Sequence, residues 1–123
     1  MNTVREVAYG IWLITFPTKE EVVASACGHL VPPLIDASKK GRLVVIANVP
    51  PDLRLIEPSV SAFWLDAMTK RGVLARAVAV VTKSLAVKTV VGAFGIAMKI
   101  SNKPIEARTF PTEGEAIVWA HTL

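Results

Sequence analysis

Apolar and polar positions along this chain follow two rhythms, and each change of rhythm marks a new element. Short runs of Val, Ile and Leu bounded by turn residues read as strands: "IWLITF" (11–16), "LVVIANV" (43–49), "RAVAVVT" (76–82) and "IEARTF" (105–110). "VREVAYG" (4–10) alternates more strictly and turns at Gly10, which predicts a partner strand for 11–16. Between these runs, apolar residues at three- and four-residue spacing predict helices near 19–40, 58–71 and 84–99, with a last one over 113–122. Strand followed by helix, four times, predicts α/β layers around a largely parallel sheet.

One phrase is written twice, as "TFPTKEE" (15–21) and "TFPTEGE" (109–115). In each copy Phe16 or Phe110 closes a strand, and Pro17 or Pro111 cannot donate to a ladder. Thr18 and Thr112 then fall at a helix N-cap, with Glu21 and Glu115 at capping-box spacing. The residues on either side do not repeat, so the phrase reads as one strand-to-helix corner used twice, not as a duplication.

The predicted helices have readable faces. In 19–40, Val22, Val23, Ala26, Leu30, Leu34 and Ala37 form a buried stripe, and Pro32 and Pro33 predict a kink or break near 28–32. Helix 58–71 starts on Pro58, stops at Gly72 and covers the sheet with Phe63, Trp64, Ala67 and Met68. In the last helix Ala116, Trp119, Ala120 and Leu123 form the stripe. Helix 84–100 carries two: Val87, Val90, Val91, Phe94 and Met98 face the sheet, while Leu85, Ile96 and Ile100 form a second strip beside Lys88 and Lys99. Neighbouring loops could cover that second strip, or it could be a contact surface for a partner, a second copy or lipid.

Composition narrows the function classes. With 123 residues the chain suits a single domain spanning 1–123, and with 52% hydrophobic residues it can build a real core. No run approaches the roughly 18–20 apolar residues of a membrane span. Arg5 and Glu6 stand where a signal peptide would need apolar residues, and the single Cys27 suits a reducing cytoplasm. A net charge of +4 without a clustered basic stripe argues against nucleic acid. His29 and His121 lack metal-ligand spacing, Cys27 has no histidine beside it, and "GAFGIAMK" follows no strand directly. No catalytic residue, cofactor or metal site is expected.

The most polar junction is "ANVPPDLRLIEPSVSAF" (47–63), which carries Asn48, Asp52, Arg54, Glu57, Ser59 and Ser61 beyond a strand end. Ligands of open α/β sheets sit at such ends, although these residues also suit helix capping and a solvated loop. The segment 76–123 then resembles the C-terminal half of bacterial SpoIIAA-like proteins of the STAS type. "VAVVT", the helix from Ser84, "IEARTF" and the closing Thr112, Glu113, Glu115, Ala116 and Trp119 carry the likeness.

The resemblance implies a STAS-like mixed sheet with four helices, the first strand antiparallel to the rest, and a non-enzymatic regulatory or adaptor role through protein contact. Some relatives are anti-sigma-factor antagonists switched by phosphorylation of a serine. Here Glu57 takes the acidic place, Pro58 the hydroxyl's and Val60 the glycine's, and one residue of slippage makes Ser59 the acceptor. Asn48 falls near the strand-end Asp. Other relatives carry apolar ligands between their second and third helices. The expected surface is therefore Asn48, Glu57, Ser59 and Ser61 with Ser84, Leu85, Lys88, Ile96, Lys99 and Ile100. Its occupant would be a protein partner, a second copy, or a lipid or other apolar ligand in the cleft beside helix 84–100.

Overall fold

The strands find each other in sequence order. The computed structural model describes residues 1–123, with β1 (Thr3–Ala8), β2 (Ile11–Thr15), β3 (Val44–Asn48), β4 (Ala77–Val81) and β5 (Glu106–Phe110) forming one sheet of order β1-β2-β3-β4-β5. β1 pairs antiparallel with β2 and every later pairing is parallel. The hairpin turns at Gly10, whose φ of +74° favours glycine. A Cβ there would meet the Arg42 carbonyl at 3.0 Å.

A parallel crossover is right-handed, and here each one steps to the next strand in the same direction. All three crossover helices must therefore lie on one face: α1 (Val31–Ser38), α2 (Pro58–Lys70) and α3 (Leu85–Ile100). Only α4 (Glu113–His121), which follows the last strand, covers the other. Two cores result. Ile14, Val45, Val78 and Val80 meet the three crossover helices, while Leu13, Val44, Ile46, Ala77 and Ala79 meet Ala116 and Ala120 of α4. β4 is buried at every position, which explains its unbroken apolar run. The edge strands β1 and β5 carry charges that discourage further pairing, at Arg5, Glu6, Glu106 and Arg108.

The sequence expectation fails in one region. Instead of a long helix over 19–40, three 3-10 turns (Lys19–Glu21, Ala24–Ala26, Gly28–Leu30) precede a helix that begins only at Val31. Pro32 and Pro33 lie in its first turn, where a missing N–H costs nothing, so they start α1 and do not break it. A distant residue holds the turns in place. The buried Asn2 donates to the carbonyls of Glu21 at 2.8 Å and Ala26 at 3.0 Å, and its own carbonyl lies 2.7 Å from His29 Nε2.

The repeated phrase is likewise used in two ways. Thr112 caps α4, its Oγ1 accepting from Glu115 N–H at 3.2 Å while also lying 3.2 Å from Glu115 Oε2. Thr18 precedes a three-residue 3-10 turn and makes no side-chain cap, and Glu21 instead meets the Met1 amino group at 2.9 Å. The capping box is thus absent from the first copy and half-formed in the second, where the Glu115 carboxylate meets the Thr112 hydroxyl and not its N–H. The Glu21 N–H that a Thr18 cap would need is already bonded to the Thr18 carbonyl at 3.1 Å, as a 3-10 turn requires. Thr112→Ala should lower folding stability by about 1 kcal/mol, while Thr18→Ala should change it by only a few tenths. Urea unfolding of the two variants against wild type reads the difference.

Candidate binding cleft

Where α2 and α3 lie side by side over the sheet, they leave a cleft of about 100 Å³. Ile14, Val45, Val78 and Val80 form its floor, Val60, Trp64 and Met68 the α2 wall, and Val90, Val91 and Phe94 the α3 wall. Eight of the sixteen lining residues are valines, too short to reach across from wall to floor. That is the physical origin of the opening: β-branched residues suit the strands and pack the helix face, but leave space that leucine or methionine would fill.

The lining holds one polar side chain, Ser61, and no charged group. The cleft can therefore bury an apolar group, and its lining offers no acid or base beside the Ser61 hydroxyl. Cys27, next to the same core, is fully buried and donates to the Val23 carbonyl at 3.3 Å. Burial pushes its thiol up from the ordinary value, opposed by a smaller hydrogen-bonding effect from Trp64. A thiol held neutral is not a nucleophile. Elsewhere, no group of three or more His, Cys, Asp or Glu side chains converges as metal ligands would.

The residues singled out from sequence do not form one surface. Ser61 lines the cleft. Glu57 and Ser59 stand exposed at the start of α2, the Ser59 hydroxyl 3.5 Å from Glu57 Oε2. Asn48 does not join them. It shares a strand face with Val44 and Ile46, turns toward α4, and donates to Glu113 Oε1 at 2.9 Å. Strand alternation separates what chain proximity grouped. Ser84 caps α3 by accepting from Val87 N–H at 3.3 Å.

Covering loops do not reach the outer face of α3: Leu85 is 78%, Ile96 63% and Ile100 80% exposed, with Lys88 and Lys99 exposed beside them. The cleft floor and Trp64 were not among the expected site residues. The signal for them is the density of valine at inward positions of β3, β4 and α3.

Comparison with family models, curated proteins and solved structures finds no match for this chain. No helix is long and apolar enough to cross a membrane.

Cys27 links this core to pH. The folded chain keeps a thiol proton that the unfolded chain releases, so stability should fall as pH rises through the ordinary thiol range, about 8 to 9.5. Cys27→Ala should flatten that slope while lowering stability at pH 7 through the space it leaves. Urea unfolding of both proteins across the range checks this.

Proposed function

We propose that this chain is a non-enzymatic binding module of the STAS, SpoIIAA-like type whose α2–α3 cleft takes a small apolar group. The observation that carries the reading is the lining: sixteen residues, fifteen of them apolar, around about 100 Å³. That space is smaller than the apolar cavity of about 150 Å³ that stays dry and accepts benzene, so the group accommodated is at most a single ring or a short branched alkyl segment. A whole lipid exceeds that space, and only the end of a chain would enter. Ser61 is the one polar side chain in the lining, with no acid or base beside it there.

A second reading is an adaptor acting through protein contact or self-association. It is favoured by Leu85 and Ile96, which stand exposed on the outer face of α3. Under it, Ile96→Asp abolishes capture of the partner or shifts the sizing profile to the monomer. The phospho-switch is not part of either reading. A phosphate on Ser59 would sit beside the Glu57 carboxylate, 3.5 Å from the serine oxygen, where like charge opposes it.

Toluene serves as the probe. Added to the protein, it should shift NMR resonances of Val78, Val91 and Phe94 and leave those of the α4 face in place. Ala47→Leu, which extends a side chain into the same space, should abolish the shifts with a thermal midpoint within a few degrees of wild type. Unchanged toluene shifts in folded Ala47→Leu would remove the cleft reading.

A further inference from the structure

Chain direction gathers charge at one end of this domain. The parallel strands all start there: Val44 N–H donates to the Gly10 carbonyl at 2.8 Å, Arg76 N–H to Leu43 at 2.9 Å, and Glu106 N–H to Arg76 at 3.3 Å. Helices α1, α2 and α3 run back from the opposite end and finish at the same place. Eight of the fourteen Lys and Arg residues fall at these helix ends and strand starts. Two of the eight bond a polar group, Lys39 with Asp36 at 3.9 Å and Arg42 with the Ala120 carbonyl at 2.9 Å, and Arg71 lies 5.6 Å over the Phe63 ring. The other six, Lys40, Lys70, Arg71, Arg76, Lys99 and Lys103, are exposed and form no ion pair.

The remaining side-chain carboxylates at this end are fewer than the cations: Glu6, Glu106 and Asp66, the last one turn before the end of α2 and without an ion-pair partner. Glu6 accepts the Gly10 N–H at 3.0 Å, and Glu106 lies 3.9 Å from Arg108. Large apolar side chains stand exposed among the free cations: Leu74 at 57%, Tyr9 at 70% and Ile100 at 80%. Leu74, Arg76 and Lys103 line one shallow depression beside the end of α3.

We propose that this basic end docks on an anionic lipid surface. Charge complementarity selects a negative partner, since six cations without an ion pair share one end and outnumber the carboxylates beside them. The apolar side chains choose among negative partners. A nucleic-acid backbone gives Leu74 and Ile100 nothing to enter, whereas a lipid interface takes aliphatic tips below the headgroups while lysine and arginine stems reach the phosphates. A second copy meeting the first end to end would set six cations against six. None of the six cations lines the cleft, so docking does not depend on the cleft being occupied.

Cosedimentation of the full chain with vesicles tests the proposal. The protein should pellet with phosphatidylcholine vesicles in which about a third of the lipid is phosphatidylglycerol, stay in solution with pure phosphatidylcholine, and be released as salt rises. Each cation near such a surface is worth about fivefold in affinity. The double substitution Lys99→Gln with Lys103→Gln should therefore weaken binding about 25-fold. Ile100→Ser should weaken it further, and Lys83→Gln, at the opposite end, should leave it as it was. All four positions are exposed, and thermal unfolding confirms that each variant is folded. No pelleting with the anionic vesicles, equal pelleting with neutral ones, or equal loss from Lys83→Gln would overturn the docking surface. So would a wild type that ignores both vesicle types and instead retains a single-stranded RNA oligonucleotide.

Discussion

The strand order and the handedness of its crossovers constrain everything else in this domain. Each connection from β2 to β5 moves one strand further along the sheet in the same direction, and right-handed crossovers then place α1, α2 and α3 on a single face. The inner strands still need cover on both faces, because β3 and β4 are apolar along almost their whole length. One nine-residue helix supplies the second cover. Ala116 and Ala120 are fully buried, so their small side chains let α4 approach the sheet closely. Trp119 packs against Phe110 at 5.4 Å, with the Arg108 guanidinium 5.5 Å over its ring. These contacts shield the flank of a cover only one helix wide.

The crowded face has the opposite problem. Three helices side by side can follow the sheet only if their inward side chains fill the space between, and valine at Val60, Val90 and Val91 is too short to do so. Trp64 and Phe94 line the gap without closing it. The unfilled space forfeits dispersion contacts that leucine would make, so the valines leave stability unclaimed at the place best suited to an apolar guest. This deficit supports the binding reading more directly than any polar group in the chain.

The same topology shapes the charge. The C-termini of α1, α2 and α3 converge on one end beside that of α4, whose Ala120 carbonyl takes Arg42, and each macrodipole leaves partial negative charge there. Lys39, Lys70 and Lys99 sit in or beside the last turns of α1, α2 and α3, where a cation is favoured. Local helix electrostatics thus accounts for one cation per helix. The additional Lys40, Arg71, Arg76 and Lys103 exceed that need, and they are what turns a set of helix ends into a basic surface.

Much of this was legible in the order of residues. Five strands, their apolar runs, the sheet-facing stripe of α3 and the Thr112 cap are local patterns, set by side-chain periodicity and by hydrogen bonds that span three or four residues. The region 19–30 was not legible, because Asn2 organises its turns from across the fold, and no local spacing announces such a contact. The partnership of Asn48 with Glu113 was hidden for a similar reason: both residues are ordinary cap or loop types until the sheet brings the end of β3 beside the start of α4. The cleft and the basic end lie furthest from the sequence. A cavity is the difference between the space that packed elements enclose and the volume their side chains fill, and a charged face is a sum over turns far apart in the chain. Periodicity determined which residues face inward. Only the assembled sheet decided how much room they left and which cations would stand together.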